Sequence, residues 1–244
     1  MNALARNRYT EAWSRLGAEM RRPRAVLCVS AHWYIHGAAL TVNTAPRTIH
    51  DFGGFPPELY RVEYPAPGDP ELARRVQELL APLPVELSES WGLDHGAWSV
   101  LKHVYPQADI PVVELSIDET QAAGFHYQIG QRLAPLRDEN VLIVASGNLV
   151  HNLHAYAWGS HAAEPYEWAL RFERRARQLL TAGDYAGLVD YEALEPDALL
   201  SVPTPDHYLP LLYAGGAAAK GDPVAFPVEG IDGGSISMLA VRIG

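Results

Sequence analysis

Histidines at the ends of apolar runs are the residues of this chain best suited to chemistry. Ten histidines occur in 244 residues, and four lie at strand-like ends or in loops rich in glycine and proline: His32 in SAHW, His95 in GLDHG, His151 in GNLVH and His207 in PTPDH. Open α/β sheets place their sites at strand ends. Imidazole binds zinc or iron and also acts as a general acid or base. These contexts favour a metal or acid–base centre, although each histidine alone is more typical of a structural or surface role.

Short motifs do not say which histidines share a centre. The chain has no HExxH, and His32 with His36 makes an HxxxH that follows a strand, so the two need not share a face. Glycine pairs at 53–54 and 233–234 form neither a GxGxxG motif nor a phosphate-binding loop. Ser146 lacks the sequence of a nucleophile elbow. Nucleotide binding and serine-hydrolase chemistry are therefore not predicted.

Composition excludes several classes of protein. The 19 basic and 29 acidic residues give a net charge of −10, which is a poor match for the phosphates of nucleic acids. A single cysteine, Cys28, excludes an intramolecular disulfide and any cysteine-based zinc or iron–sulfur site. No run of about 18 apolar residues predicts a membrane span, and the start of the chain lacks the apolar segment of a secretory signal. We expect a cytoplasmic protein that binds neither nucleic acid nor membrane.

Strand-like and helical segments alternate along the chain. Apolar runs predict strands, and helical periodicity predicts helices, with a loop rich in proline and glycine at 44–68. The predicted strands are 25–30, 38–42, 110–117, 141–145, 224–227 and 235–242, and the predicted helices are 2–20, 69–80, 98–105, 127–133, 166–181 and 208–214. Such alternation is typical of a sheet covered on both faces. The predicted fold is therefore a three-layer α/β/α single domain with a central mixed sheet.

Several segments, in this order, resemble those of a known enzyme family. They are SAHW (30–33), TIHDFGGFPPELY (48–60), YPAPG (64–68), WGLDHGAWSVL (91–101), IPVVELSID (110–118), GNLVHNL (147–153), VPTPDHYLPLLY (202–213) and GSISM (234–238). Together they are similar to the class III extradiol ring-cleavage dioxygenases, and most of all to the DOPA 4,5-dioxygenase-like subgroup. The resemblance runs over nearly the whole chain and implies that residues 1–244 form a single catalytic domain.

The resemblance implies a non-haem metal centre in an α/β fold, with Fe²⁺ for catalysis and Zn²⁺ in isolated protein. His32 and His207 would be metal ligands. His151 would be the acid–base residue close to the metal and a third ligand, and His95 would hydrogen-bond substrate or oxygen. The implied activity opens the ring of a DOPA-like catechol, so the expected partners are a small aromatic diol and dioxygen. A zinc-loaded form would bind catechol without oxidising it, because zinc has no redox chemistry.

One departure from the family pattern concerns its first metal ligand. The pattern starts with a His-Gly-Ser-Pro loop just before Met-Asn-Ala-Leu, and this sequence starts at Met1-Asn2-Ala3-Leu4. We therefore expect the family's first strand and that histidine ligand to be missing. Two alternatives stay open at this point. One is a non-redox metal-dependent hydrolase in which the same histidines activate water, and the other is a catalytically inactive binding relative.

Overall fold

The computed structural model describes residues 2–160 and 163–244. In chain order its elements are α1 (Arg8–Glu19), β1 (Ala25–Ile35), β2 (Ala38–Thr41), α2 (Pro70–Leu80), β3 (Val85–Ser88), α3 (His95–Val104), β4 (Val112–Asp118), α4 (Ala123–Leu133), α5 (Pro135–Asp138), β5 (Val141–Ser146), α6 (Glu167–Ala182), α7 (Ala198–Ser201), α8 (Leu209–Gly216), β6 (Val224–Val228), β7 (Ile231–Asp232), β8 (Ile236–Ser237) and β9 (Ala240–Ile243). Short 3-10 turns lie at Leu59–Arg61, Ala186–Leu188 and Tyr191–Ala193.

The chain divides into two compact units. The first consists of the residues up to 120 together with 135–146, and the second of 121–134 and 147–244. The first unit therefore holds β1 to β5 with α1, α2, α3 and α5, and the second holds the remaining helices and strands. That residues 1–244 act as one catalytic domain stays a prediction.

A five-stranded mixed sheet forms the core of the first unit. Its strand order is β3-β2-β4-β1-β5. β1 runs parallel to both β4 and β5, whereas β2 is parallel to β3 and antiparallel to β4. Residues 25–29 of β1 are fully buried, as expected for an interior strand covered on both faces. Helices α2, α3 and α5 contact this sheet, so the prediction of an α/β fold with a central mixed sheet is confirmed.

β1 is longer than the sequence predicts, and this changes the place of His32. The apolar run predicts a strand that ends at residue 30, but β1 continues to Ile35 and contains His32. Pairing with β4 is irregular between Val29 and Tyr34 and then resumes. Backbone pairing with β4 carries the strand past the end of the apolar pattern.

α3 begins earlier than predicted, at His95 instead of residue 98. Asp94 explains the difference, because its carboxylate accepts a hydrogen bond from the backbone N–H of Ala97 at 3.0 Å and so caps the helix. The hydroxyl of Ser146 donates to the carbonyl of Gly96 at 2.7 Å and ties the end of β5 to the same turn. His95 therefore lies on the first turn of a capped helix instead of in a loop.

In the second unit, α4 and α8 pack closely through glycines. A Cβ placed on Gly130 would lie 2.3 Å from the carbonyl oxygen of Tyr213, and one on Gly216 would lie 2.2 Å from that of Tyr127. The predicted strand 235–242 is wrong as one element, because it is divided between β8, which pairs with β7, and β9, which pairs with β6.

Within residues 2–160 and 163–244, no helix has the length and hydropathy needed to cross a membrane.

A buried carboxyl group lies in the centre of β4. Glu114 is fully buried and accepts hydrogen bonds from the backbone N–H of Asp94 at 2.9 Å and from Nε1 of Trp91 at 3.2 Å. Burial, together with the nearby negative charge of Asp94, raises the pKa of Glu114 well above its usual value. The folded chain therefore holds a proton on Glu114 at pH values where the unfolded chain has released it.

This proton makes the stability of the chain depend on pH in a predictable direction. Because the pKa is higher in the folded state, the contribution of Glu114 to stability is complete below the unfolded pKa and is lost as pH rises through the folded pKa. Between the unfolded pKa of about 4.5 and the higher folded pKa, the wild type is expected to lose about 1.4 kcal/mol of unfolding free energy per pH unit relative to Glu114→Gln. Urea unfolding of both proteins between pH 5 and about pH 8 measures this difference.

The exposed Glu86 on β3 provides the matched control. Glu86→Gln is expected to follow the wild-type pH dependence. Parallel curves for wild type and Glu114→Gln would contradict a proton held on Glu114.

Candidate active site

A cluster of polar side chains in the first unit consists of His32, Asp51 and His95. Oδ2 of Asp51 lies 2.8 Å from Nδ1 of His95 and 3.6 Å from Nδ1 of His32. The two imidazole rings contact each other, with centroids 3.8 Å apart. Each of the three residues offers one ligand atom, and these three atoms all lie within 4.8 Å of one another. The group could therefore hold a metal ion.

Asp51 is the anionic member of the cluster. Burial alone would raise the pKa of Asp51, but hydrogen bonds from the ring and backbone N–H groups of His95, with the electrostatic effect of the nearby His95 and His32 rings, outweigh burial and lower it below its usual value. The carboxylate is therefore ionised at neutral pH. An ionised carboxylate only accepts hydrogen bonds, so the proton between Asp51 and His95 belongs to Nδ1 of the imidazole.

Aromatic side chains of the loop 48–60 surround this cluster. The ring of Phe52 contacts that of His95 edge-on, with centroids 5.3 Å apart, and lies 5.0 Å from the ring of Tyr60. Trp98 on α3 donates from Nε1 to the carbonyl of Ile49 at 2.8 Å and so holds the loop against the helix. The cluster thus combines hydrogen-bonding groups with aromatic faces, which is the combination that an aromatic ligand with polar substituents requires.

A second histidine pair lies in the second unit. The rings of His151 and His207 are stacked, with centroids 3.5 Å apart and planes at 6°. Burial lowers the pKa of His151, although the charge of Asp206 opposes this shift. His151 is therefore neutral at neutral pH and able to accept a proton.

Asn148 determines which nitrogen of His207 carries a hydrogen. The Nδ2 group of Asn148 donates to the carbonyl of Ser237 at 2.7 Å, so its Oδ1 faces Nδ1 of His207 at 3.1 Å. An amide oxygen accepts hydrogen bonds, and Nδ1 of His207 must therefore be the donor. In the neutral imidazole the lone pair is then on Nε2, which lies 3.7 Å from Oδ2 of Asp206. An imidazole oriented in this way is typical of metal ligands.

The four histidines singled out from the sequence thus occur as two contacting pairs, His32 with His95 and His151 with His207. Sequence reasoning missed Asp51 and Asn148. Both lie inside segments that carry the family resemblance, TIHDFGGFPPELY and GNLVHNL. The signal that could have found them is the requirement of each functional imidazole for an oriented hydrogen-bond acceptor.

Comparison with known families decides the class of enzyme. A sequence model described as the catalytic LigB subunit of aromatic ring-opening dioxygenase matches residues 5–231. The chain belongs to the LigB family. As a LigB protein it is a class III extradiol dioxygenase by family, and so an enzyme of the oxidoreductase class. The resemblance inferred from the sequence motifs is confirmed.

Relatives of this LigB protein match along nearly all of its length. A protein of Escherichia coli K12 named 4,5-DOPA dioxygenase extradiol is 50% identical over 250 residues, covering 100% of this chain and 91% of the relative. A protein of Beta vulgaris with the same name is 40% identical over 233 residues, covering 94% and 86%. The crystal structure of an uncharacterized Escherichia coli K12 protein matches with a TM-score of 0.86 and 46% identity, covering 99% of this chain and 94% of that chain.

Proposed function

We propose that this LigB protein is a metal-dependent extradiol dioxygenase that opens the ring of a DOPA-like catechol with dioxygen. The observation that carries the proposal is the Escherichia coli relative named 4,5-DOPA dioxygenase extradiol, which is 50% identical across the whole chain. In the proposed reaction the ring C–C bond beside the diol breaks and both atoms of dioxygen enter the product. The product is a ring-opened semialdehyde, and no other oxidant or reductant is needed.

The metal-binding part of the proposal rests on the type and orientation of the donors. Imidazole groups suit Fe²⁺ and Zn²⁺. From the motifs SAHW and PTPDH we assign His32 and His207 as metal ligands, and from GNLVH we assign His151 as the acid–base residue, which contacts the metal as a third ligand only before substrate binds. The contact between Nδ1 of His207 and Oδ1 of Asn148 supports the role of His207, because it places the lone pair of the neutral imidazole on Nε2. When bound, Fe²⁺ supplies the positive charge that favours the catecholate and the redox chemistry that dioxygen requires, whereas Zn²⁺ supplies only the charge.

The chain's own histidines then handle protons and orientation. His151 is neutral because burial lowers its pKa, and it takes a proton from a catechol hydroxyl and returns one later in the reaction. His95 carries its hydrogen on Nδ1, so Nε2 accepts a hydrogen bond from the substrate. The ring of Phe52 provides an apolar surface beside His95 for an aromatic substrate.

Anaerobic loading with Fe²⁺, followed by L-DOPA and then air, tests the proposal. We expect a yellow ring-opened semialdehyde and uptake of about one O₂ per substrate, because both oxygen atoms are used. The zinc-loaded protein is the control and is expected to bind L-DOPA without consuming O₂. Bound metal with turnover of esters or phosphodiesters would instead indicate a hydrolase, and the absence of stoichiometric metal would indicate a binding protein.

Replacing Asn148 with alanine is expected to weaken metal binding. Without Oδ1, the imidazole of His207 loses the acceptor that holds its tautomer and orientation, and loss of such a supporting group lowers metal affinity by about 10–100-fold. Titration with Zn²⁺ against a competing chelator measures the change. Asn43→Ala is the matched control, because Asn43 also donates to a backbone carbonyl, that of Glu89, and does not contact a histidine. Equal affinities for the two variants would contradict the role of Asn148.

A further inference from the structure

Asp51 lies beside His95 in an arrangement that uses both of its oxygen atoms. Oδ1 accepts a hydrogen bond from the backbone N–H of His95 at 2.9 Å, and Oδ2 accepts one from Nδ1 of the same residue at 2.8 Å. The separation from Nδ1 of His32 is longer, at 3.6 Å, which is beyond a normal hydrogen bond. The carboxylate is therefore hydrogen-bonded to His95 through two separate contacts, whereas His32 lies only at ion-pair distance.

We propose that Asp51 is a positioning residue that fixes His95 in the Nδ1–H tautomer, so that Nε2 accepts a hydrogen bond from the substrate. This inference rests on the proposed function, because it concerns the same reaction. Within the described residues, Nε2 of His95 makes no hydrogen bond. In the neutral imidazole with its hydrogen on Nδ1, Nε2 carries the lone pair and therefore acts as an acceptor.

Two further contacts restrict the imidazole of His95. The ring of His32 lies 3.8 Å away and that of Phe52 lies 5.3 Å away, measured between centroids. His95 is also the first residue of α3, where a backbone N–H has no partner within the helix, and Asp51 satisfies that group. The backbone contact fixes the carboxylate relative to the helix, and the ring contact then fixes the imidazole relative to the carboxylate.

The variant Asp51→Asn separates this role from a role in metal binding. Asparagine can keep both contacts if its oxygen accepts from the backbone N–H of His95 and its amide group donates to Nδ1. That arrangement reverses the tautomer and places the hydrogen on Nε2, where it opposes a hydrogen bond from a substrate hydroxyl. We expect kcat to fall by about 10²–10⁴-fold with bound metal unchanged, because the reversed tautomer opposes the hydrogen bond from the substrate without removing the imidazole.

The decisive readout is ¹⁵N NMR of the histidine rings in zinc-loaded protein, which does not depend on activity. In the wild type, Nδ1 of His95 is expected to be protonated and Nε2 unprotonated, and in Asp51→Asn this order is expected to be reversed. Asp69→Asn is the matched control, because Asp69 caps α2 by accepting from the backbone N–H of Leu72 at 2.9 Å. It removes a carboxylate at a helix start without contacting a histidine, so its spectrum and kcat should match the wild type.

Three outcomes would overturn the proposal: an unchanged tautomer in Asp51→Asn, an unchanged kcat, or a loss of metal as complete as that of His207→Ala. The third outcome would indicate that Asp51 binds the metal directly. Failure of the proposed function gives a different result, because the wild type would then open no catechol while the NMR spectra would still report whether Asp51 sets the tautomer.

Discussion

Replacing His207 with alanine is expected to abolish metal retention and, with it, ring opening. The imidazole of His207 is held by Asn148 and stacks on His151, and in the neutral ring this leaves the lone pair on Nε2. Loss of the supporting Asn148 contact alone should weaken metal binding by about 10–100-fold, so loss of the ligand itself should exceed that range. The measurement is the metal content of purified protein after dialysis, together with O₂ uptake on addition of L-DOPA.

His36→Ala is the control for this experiment. His36 is an exposed histidine whose Nδ1 lies 2.5 Å from Oε1 of Glu119, and its loss should change neither metal content nor O₂ uptake. Circular dichroism establishes that His207→Ala is folded. A folded His207→Ala protein that keeps its full metal content would contradict the assignment of His207 as a ligand.

Replacing His151 with glutamine is expected to lower kcat much more than metal content. Glutamine keeps a polar side chain of similar length, but its amide group does not take up a proton near neutral pH. Loss of a general acid–base group typically lowers the rate by about 10²–10⁴-fold. Steady-state O₂ uptake in iron-loaded protein measures the rate, and elemental analysis of the same sample measures the metal.

The pH profile identifies the proton-transfer role of His151. The neutral imidazole is the active form, so the rate should rise with pH through the pKa of His151, which burial places below the usual histidine value. This rise should be absent in His151→Gln. His154→Gln changes the exposed histidine three residues further along the chain and should retain both the rate and the profile. Wild-type turnover by His151→Gln would remove His151 from the mechanism.

The sequence predicted the elements that patterns of side chains define. The apolar runs at 25–30 and 141–145 correspond to β1 and β5, and the helical stripe at 166–181 corresponds to α6 at Glu167–Ala182. The prediction was less successful where backbone pairing or capping decides the structure. β3, at Val85–Ser88, was missed because four residues at the edge of the sheet, next to β2, give too short a pattern. α1 starts at Arg8 and not at residue 2, because the side chain of Asn7 caps it.

The candidate site was predicted in its residue types and only partly in its geometry. The motifs indicated His32, His95, His151 and His207. Histidines next to predicted strand ends or in loops can be recognised from the sequence alone, and imidazole is a common metal ligand and acid–base group. Asp51 was not found, because its contact with His95 spans 44 residues and depends on the path of the irregular loop 48–60. A periodic pattern of side chains carries no information on such a contact.

Incorporation of ¹⁸O₂ tests the central claim most directly. Iron-loaded protein would react with L-DOPA under ¹⁸O₂, and immediate reduction with borohydride would trap the aldehyde before its oxygen exchanges with water. We expect a ring-opened product that carries both labelled oxygen atoms. A product without label, as simple oxidation of the catechol to a quinone would give, would contradict it.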